Sequence, residues 1–335
     1  MKAQPCLPSP RKGLCSFLIV TTLATGCAGA GAALGGIAFE AGKKFLLNTA
    51  EQNFDQEYHA SFSKMLDLLI ASKAPAPNRF SQRDIDIALT TASAEDTTSG
   101  EGEEDATEET PDKTPDETAS EEIDVPEEAP DSLTRNPLPI ALTVNVVREV
   151  ILDGRMIPVP VEDGDTLRDG IGREGDGDSI KIQFEVDQPC YVYAVWVDAT
   201  AWATPLFPNG AGGSFTNPVK PGKLYSIPRG NNWWYLDDRR GVENLYFVAS
   251  HTPLEELDET LLAFVGRERA FQNGGAEVAV VDEPAEFTRG LGGIRPGRAT
   301  LVQASDGTSH EVIPTSFLSD LGSRDLVVTR WFRHE

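Results

Sequence analysis

Cysteine and histidine often carry nucleophilic or metal chemistry, and both are sparse in this sequence of 335 residues. The cysteines stand at positions 6, 15, 27 and 190, and the histidines at 59, 251, 310 and 334. The histidines lack the spacing of a metal motif, and no Gly-x-Ser-x-Gly turn of a hydrolase occurs. Cys190 lies in the apolar run "CYVYAVWV", where a buried structural thiol is expected. We therefore expect no cofactor and no catalytic residue.

Acidic, glycine-rich turns are the next place where chemistry could occur. The motifs "EDGDTLRDG" and "EGDGDS" supply weak calcium candidates: Asp163, Asp165, Glu174, Asp176 and Asp178. The second motif has carboxylates at positions 1, 3 and 5 of a calcium loop, but Ser179 replaces the glycine required at position 6. Such turns also form without any metal. We expect no metal here and keep a calcium-stabilised adhesion module as an alternative.

The stretch "NNWWYLDDRRG" (231–241) is the densest cluster of side chains suited to recognition. Trp, Tyr and Arg dominate the energetics of protein interfaces. The candidate partner-binding residues are Trp233, Trp234, Tyr235, Arg239 and Arg240. Adjacent strand residues point to opposite faces, so the two tryptophans cannot share one face. The alternative is one Trp in the core and a charged turn made by Asp237, Asp238 and the two arginines.

Cys27 stands where a lipid could be attached. Arg11 and Lys12 precede an uncharged apolar run, as in a signal peptide. The step Leu23-Ala24-Thr25-Gly26-Cys27 resembles the lipobox of bacterial lipoproteins, with Ala24 where leucine is usual. The resemblance implies cleavage after residue 26, a lipid anchor on Cys27 and, because alanine follows the cysteine, the outer membrane. An uncleaved transmembrane helix and ordinary signal cleavage are the alternatives.

The charge is strongly asymmetric along the chain. The net charge is −24, and residues 95–131 carry 17 acidic side chains and one lysine. A nucleic-acid partner is excluded, because a phosphate backbone needs a basic face. The region 91–137 is too poor in apolar side chains to fold and predicts a disordered acidic spacer. The predicted division is a signal peptide 1–26, a Gly/Ala-rich tether 27–38, a helical segment 39–90, the acidic linker 91–137 and a β-rich domain 138–335.

One long helix is predicted over residues 39–72. Apolar side chains recur there at steps of three and four residues: Phe39, Leu46, Phe54, Tyr58, Phe62, Met65, Leu66 and Leu69. A helix with one apolar face must bury that face against something. The face is expected to pack on its own protein; oligomerisation, or docking on another envelope protein, is the alternative.

From residue 138 onward, short alternating segments separated by Gly and Pro predict strands. Segments 180–186, 190–197, 224–228, 233–237, 244–250 and 325–333 are examples, with a helix from Thr252 to about Arg269. The segment 190–197 is apolar on both faces and predicts a central strand covered on both sides. The fold class is therefore mainly β, a sandwich or partly closed barrel, preceded by a long helix and a disordered linker.

Several of these blocks resemble domain-of-unknown-function family 4384. They are "GDSIKIQFEVDQPCYVYAVWVD", "ATPLFPN", "NPVKPGKLYSIP", "WWYLDDRRGVENLYFVAS" and "LVVTRWF", together spanning about residues 155–335. The family occurs in bacterial envelope lipoproteins and beside caspase-like peptidases or kinases, and no catalytic residues are established for it. The resemblance implies an adaptor or binding role and names no ligand.

These observations predict a lipid-anchored protein of the cell envelope whose non-catalytic β domain binds a protein or polymer. The alternatives are the calcium-stabilised adhesion module and a secreted hydrolase. That hydrolase would use carboxylates near 163–178 and 237–238 as acid and base.

Overall fold

The computed structural model describes residues 31–70, 138–168, 178–211, 213–275 and 277–335. Its helices are α1 (Gly31–Asn53), α2 (Gln56–Ile70) and α3 (Glu255–Leu262). Its strands are β1 (Ala141–Leu152), β2 (Arg155–Pro160), β3 (Thr166–Leu167), β4 (Ser179–Val186), β5 (Tyr191–Val197), β6 (Ala203–Phe207), β7 (Asn209–Gly210), β8 (Gly213–Ser214), β9 (Tyr225–Ile227), β10 (Trp234–Tyr235), β11 (Gly241–Ser250), β12 (Leu291–Pro296), β13 (Thr300–Gln303), β14 (Ser309–Val312), β15 (Thr315–Ser319) and β16 (Asp325–His334).

The strands form two larger sheets that pack face to face. Sheet 1 has the order β10-β4-β1-β15-β12, with β2 also paired to β1 and β9 also paired to β4. Sheet 2 has the order β3-β16-β11-β5-β6, and β7–β8 and β13–β14 are separate hairpins. Neither sheet closes on itself within the described ranges. The predicted mainly-β sandwich is confirmed.

Period-two alternation places one face of each sheet in the shared core. Ile180, Ile182 and Phe184 of β4 lie in one buried cluster with Leu245 and Phe247 of β11. Cys190 is 1% exposed in the same cluster, and burial raises the pKa of its thiol to about 12. The expectation of a buried structural cysteine is confirmed.

The opposite face of sheet 2 is covered by the helices. Tyr193, Val195 and Val197 of β5 form a second buried cluster with residues of the two helices and of the break between them, namely Leu46, Phe54, Tyr58, Phe62, Met65, Leu66 and Leu69. β5 is therefore covered on both sides, as its doubly apolar sequence predicts. The apolar helical face packs on its own protein, and any association of two copies through these helices would use their outer face.

The predicted single helix over 39–72 is wrong in two respects. The helix already begins at Gly31, within the predicted tether, and it breaks at Phe54–Asp55. Asp55 starts α2 as its N-cap: the backbone N–H of Tyr58 donates to Asp55 Oδ1 at 2.7 Å. Tyr58 Oη then donates to the carbonyl of Ala201 at 2.8 Å and accepts the N–H of Ala203 at 2.7 Å, which fixes α2 on the β5–β6 turn.

The described residues on either side of 71–137 contact neighbouring parts of the fold. At its start, the Leu69 carbonyl accepts a hydrogen bond from Arg289 Nη1 at 2.7 Å. Beyond its end, the carbonyl of Ile140 accepts the N–H of Ser319 at 2.8 Å, and the next residue, Asp320, donates to the Gly290 carbonyl. The described residues before this segment, 31–70, pack on sheet 2. The predicted acidic linker and the remainder of the predicted helical segment, 71–90, lie outside the described residues.

Two predicted elements differ from the structure for local reasons. The predicted helix 252–269 is shorter, since α3 spans Glu255–Leu262 and Leu254, whose N–H donates to Tyr193 Oη at 2.9 Å, occupies the N-cap position. The outward side chain Lys181 of β4 is 1% exposed, because the β13–β14 hairpin covers this face of sheet 1.

Within the described ranges no helix has the length and hydropathy that a membrane span requires.

Candidate functional site

A cleft of about 260 Å³ opens at one side of the sandwich, where the edge strands β10 of sheet 1 and β6 of sheet 2 lie. We call it the edge cleft. It is defined by the aromatic residues Trp196, Trp202, Trp234 and Tyr235 and the polar residues Asp198, Asp237, Glu243, Arg269 and His334. These come from both sheets, from the β5–β6 turn and from the loop after α3, so the edge cleft exists only in the assembled fold.

The aromatic side chains of the edge cleft are held from several sides. Trp196 of β5 and Trp234 of β10 face each other with ring centroids 5.9 Å apart. Trp202 stacks on Tyr58 of α2, with centroids 4.9 Å apart and ring planes 8° from parallel. Tyr235 is 66% exposed at the mouth. A large aromatic side chain left in solvent next to half-buried ones is typical of a recognition surface.

Glu243 and His334 form the floor of the edge cleft. The Glu243 side chain accepts hydrogen bonds from Trp196 Nε1 at 2.6 Å and from the backbone N–H of Ala199 at 3.3 Å. His334 Nδ1 lies 3.7 Å from Glu243 Oε1. Burial, with a contribution from nearby Asp198, raises the pKa of Glu243 to about 7.

Arg269 joins two carboxylates along one wall. Its guanidinium lies 2.5 Å from Asp198 Oδ2 and 3.0 Å from Asp237 Oδ2. Asp198 Oδ1 also accepts the N–H groups of Thr200 and Trp202, and Asp237 Oδ1 accepts the N–H of Arg239. Burial raises the pKa of Asp198, although Arg269 opposes this shift.

The structure divides the predicted partner-binding cluster. Trp234 and Tyr235 line the edge cleft, whereas Trp233 is 9% exposed and lies under Lys181, whose Nζ is 4.7 Å from its ring centroid. Arg239 packs over Phe271 at 5.3 Å, outside the cleft lining. Arg240 is likewise outside that lining. Trp233 and Arg239 agree with the alternative of one Trp in the core and a charged turn at 237–240. Trp234 and Tyr235 agree with a role in recognition.

The calcium candidates do not come together among the described residues. Asp163 Oδ1 accepts from Arg330 Nε at 2.7 Å, and Asp178 Oδ2 lies 3.6 Å from Arg148 Nη1. Asp165 Oδ2 closes its own turn by accepting the N–H of Glu162. Glu174 and Asp176 lie outside the described residues, and the part of the chain that is described holds no group of three or more potential metal ligands.

Sequence reasoning did not single out Trp196, Asp198, Glu243, Arg269 or His334 as site residues. Glu243 follows Gly241 at the start of a strand, and only its pairing in β11 places it beside Trp196 and His334. One signal was available: a glutamate at a core position of an otherwise apolar strand requires a partner. Arg269 could not be placed from sequence, because α3 ends seven residues before it.

Comparison with known proteins gives one match. Neither the curated proteins nor the solved structures include a match to this chain. A family model described as "Domain of unknown function (DUF4384)" matches residues 175–253. The matched range contains every aromatic residue of the edge cleft, together with Asp198, Asp237 and Glu243, and it excludes Arg269 and His334. Over residues 175–253, this chain is therefore similar to the domain of unknown function 4384.

Proposed function

We propose that this chain is a lipid-anchored envelope protein that binds a partner molecule in the edge cleft and does not chemically change it. The observation that carries the proposal is the pairing of half-buried aromatic rings from two sheets with polar groups that the fold already holds in place. Binding sites typically combine apolar walls with a few fixed polar groups. Anchoring at Cys27 rests on the lipobox resemblance.

A non-catalytic role is supported by the state of the three carboxylates. Glu243, Asp198 and Asp237 each have both side-chain oxygens bonded to donors of the protein itself. A general acid or base needs its oxygen within hydrogen-bond reach of the substrate's proton. In this protein the carboxylate oxygens instead bond to other lining residues and hold them in position.

The docking of α1 supports a position of the sandwich close to the membrane. The helix begins at Gly31, the fourth residue after Cys27, and its later part packs on sheet 2. A lipid on Cys27 would therefore hold the sandwich close to the membrane surface. A partner would be one that is reachable there, a protein or polymer of the envelope.

Mass spectrometry of the membrane fraction after in-cell crosslinking tests this proposal. We expect a lipid-modified peptide beginning at Cys27, and recurrent partners that are lost in Tyr235→Ala. Phe45→Ala is the matched control, because Phe45 is also an exposed aromatic residue, 51% exposed, and lies on α1 outside the cleft lining. A peptide extending through residue 26, or equal partner recovery from both variants, would contradict the proposal.

A hydrolase is the second candidate, and one observation favours it. The pKa of Glu243 is raised to about 7, which suits a general acid at neutral pH, and Asp237 lines the same cleft. Incubating the full chain with envelope polysaccharide and assaying new reducing ends decides the matter. Hydrolysis that disappears in Glu243→Gln would replace the non-catalytic proposal with this one.

A further inference from the structure

The edge cleft has the composition that a sugar ring requires. A pyranose ring presents faces of C–H groups and a rim of hydroxyls that both donate and accept hydrogen bonds. The faces suit planar aromatic side chains, and the rim suits fixed polar groups of both kinds. Trp234 and Tyr235 are consecutive residues of β10 at the cleft, and Trp196 faces Trp234.

The polar groups of the edge cleft are mixed rather than of one sign. Asp237, whose side chain is 41% exposed, offers acceptor oxygens, and Arg269, 24% exposed, offers donors. The half-buried hydroxyl of Thr204 can do both. On the floor, both ring nitrogens of His334 are buried and have no hydrogen-bond partner among the described residues. The His334 side chain is fully buried, so it supports the floor from beneath and does not itself contact a ligand.

Other ligand classes fit less well. A phosphate or carboxylate would meet Asp198, Asp237 and Glu243 around a single arginine that two of them already neutralise. A free ammonium group would find Asp198 and Asp237 already paired with Arg269. An added peptide strand finds the outer side of β6 occupied, because the N–H of Ala211 donates to the carbonyl of Pro205 at 2.9 Å. A neutral, hydroxyl-rich ring avoids all three conflicts.

We infer that the edge cleft is a saccharide-binding site that takes a unit of an envelope polysaccharide among the side chains of Trp196, Trp234 and Tyr235. This inference rests on the proposed function and names the ligand class for it. The volume of about 260 Å³ lies just below the usual range of ~300–1,000 Å³ for ligand pockets, which suits one segment of a chain that continues into solvent.

Binding of the purified full chain to defined saccharides tests the inference. The probes are chitohexaose, cellohexaose and purified peptidoglycan sacculi, measured by calorimetry for the soluble probes and by cosedimentation for the sacculi. We expect wild-type protein to bind at least one probe. Preference for chitohexaose and sacculi would identify an N-acetylated glycan as the source, and preference for cellohexaose a glucan.

Two variants locate the binding. Tyr235→Ala should weaken binding at least tenfold, whereas Phe45→Ala should stay within about twofold of wild type. Tyr235 is exposed enough that its replacement leaves the core intact, and Trp234→Phe provides a second, conservative variant with an expected loss of severalfold. Equal binding by wild type, Tyr235→Ala and Phe45→Ala would overturn the site assignment.

The outcomes separate this inference from the proposed function. If no saccharide binds but the crosslinked partners still depend on Tyr235, the saccharide class is wrong and the edge cleft serves a protein partner. If no saccharide binds and no partner depends on Tyr235, both the inference and the proposed function fall.

Discussion

Glu243 shows how one buried carboxyl can set a pH dependence. Its side chain is held by Trp196 and by the N–H of Ala199 beside His334, and its residue is 2% exposed. Burial costs the charged form more than the neutral form, which is why the pKa rises from 4.5 to about 7. The folded protein therefore holds a proton at pH values where the unfolded chain has released it.

The sign of the effect on stability follows from this difference. Between about pH 4.5 and pH 7 the folded state binds more protons, so the free energy of unfolding contributed by Glu243 falls as the pH rises. Glu243→Gln keeps an acceptor for Trp196 and removes the titration. We expect urea unfolding of the variant to show a smaller loss of stability from pH 5 to pH 7.5 than wild type. An equal or steeper loss would contradict the raised pKa.

Arg269 supplies a second prediction at the residue scale. Removing it leaves partly buried Asp198 without its positive partner, so Arg269→Ala should lower the free energy of unfolding by about 1–3 kcal/mol. Arg267→Ala is the control. Arg267 pairs with Asp55, whose side chain is 65% exposed, and such pairs contribute about 0–1 kcal/mol. If chemical denaturation gave the two variants equal losses of unfolding free energy, the partial burial of Asp198 would not be the cause of the effect.

At the scale of elements, the strands could be predicted and the contacts between helix and sheet could not. Alternation in 180–186 and the doubly apolar run at 190–197 identified β4 and β5, because burial on one or two faces leaves a direct trace in sequence. In the sequence, the break before α2 is marked only by Asp55, an acidic residue within the helical pattern of apolar side chains. Of the residues that line the edge cleft, the sequence indicated Trp234 and Tyr235 as candidates. Glu243 and His334 meet through strand pairing, which local sequence does not encode.

Gly42 gives a prediction about the docking of α1. Alanine normally stabilises a helix relative to glycine by roughly 1 kcal/mol. A Cβ at position 42 would lie 2.6 Å from the Cα of Ala285 and 3.0 Å from the carbonyl oxygen of Pro284. Gly42→Ala should therefore lower the midpoint of thermal unfolding, against helix propensity, because α1 must move away from the backbone. A raised midpoint would show that α1 does not pack there.

At the scale of the whole molecule, helices and sandwich share one core. Leu46, Tyr58 and Phe62 lie in the same buried cluster as Tyr193 and Tyr246 of sheet 2. A fragment of residues 138–335 would expose this face to water. We expect such a fragment to aggregate or unfold at a lower temperature, and a peptide of residues 39–70 added in trans to restore part of the stability. A monomeric fragment with wild-type stability would contradict the shared core.

The segment 71–137 permits the opposite prediction. The described residues that flank it, Leu69 and Ile140, bond to Arg289 and Ser319, and Asp320 next to Ser319 bonds to Gly290 next to Arg289. Replacing it with about 16 Gly and Ser residues shortens the loop about fourfold. The lower entropy cost of closing the shorter loop should stabilise the folded state by ~1 kcal/mol. Thermal unfolding should be unchanged or slightly raised. A large drop in the midpoint would show that this segment contributes contacts to the folded body.

We propose that this protein binds its partner in the edge cleft. A photo-crosslinking amino acid placed at Tyr235 in the full chain, in cells, tests this proposal, with the same substitution at Phe45 as the control. We predict adducts from position 235 with an envelope polymer or protein, and few or none from position 45. Equal adducts at both positions, or none at 235 when 45 gives them, would contradict the claim.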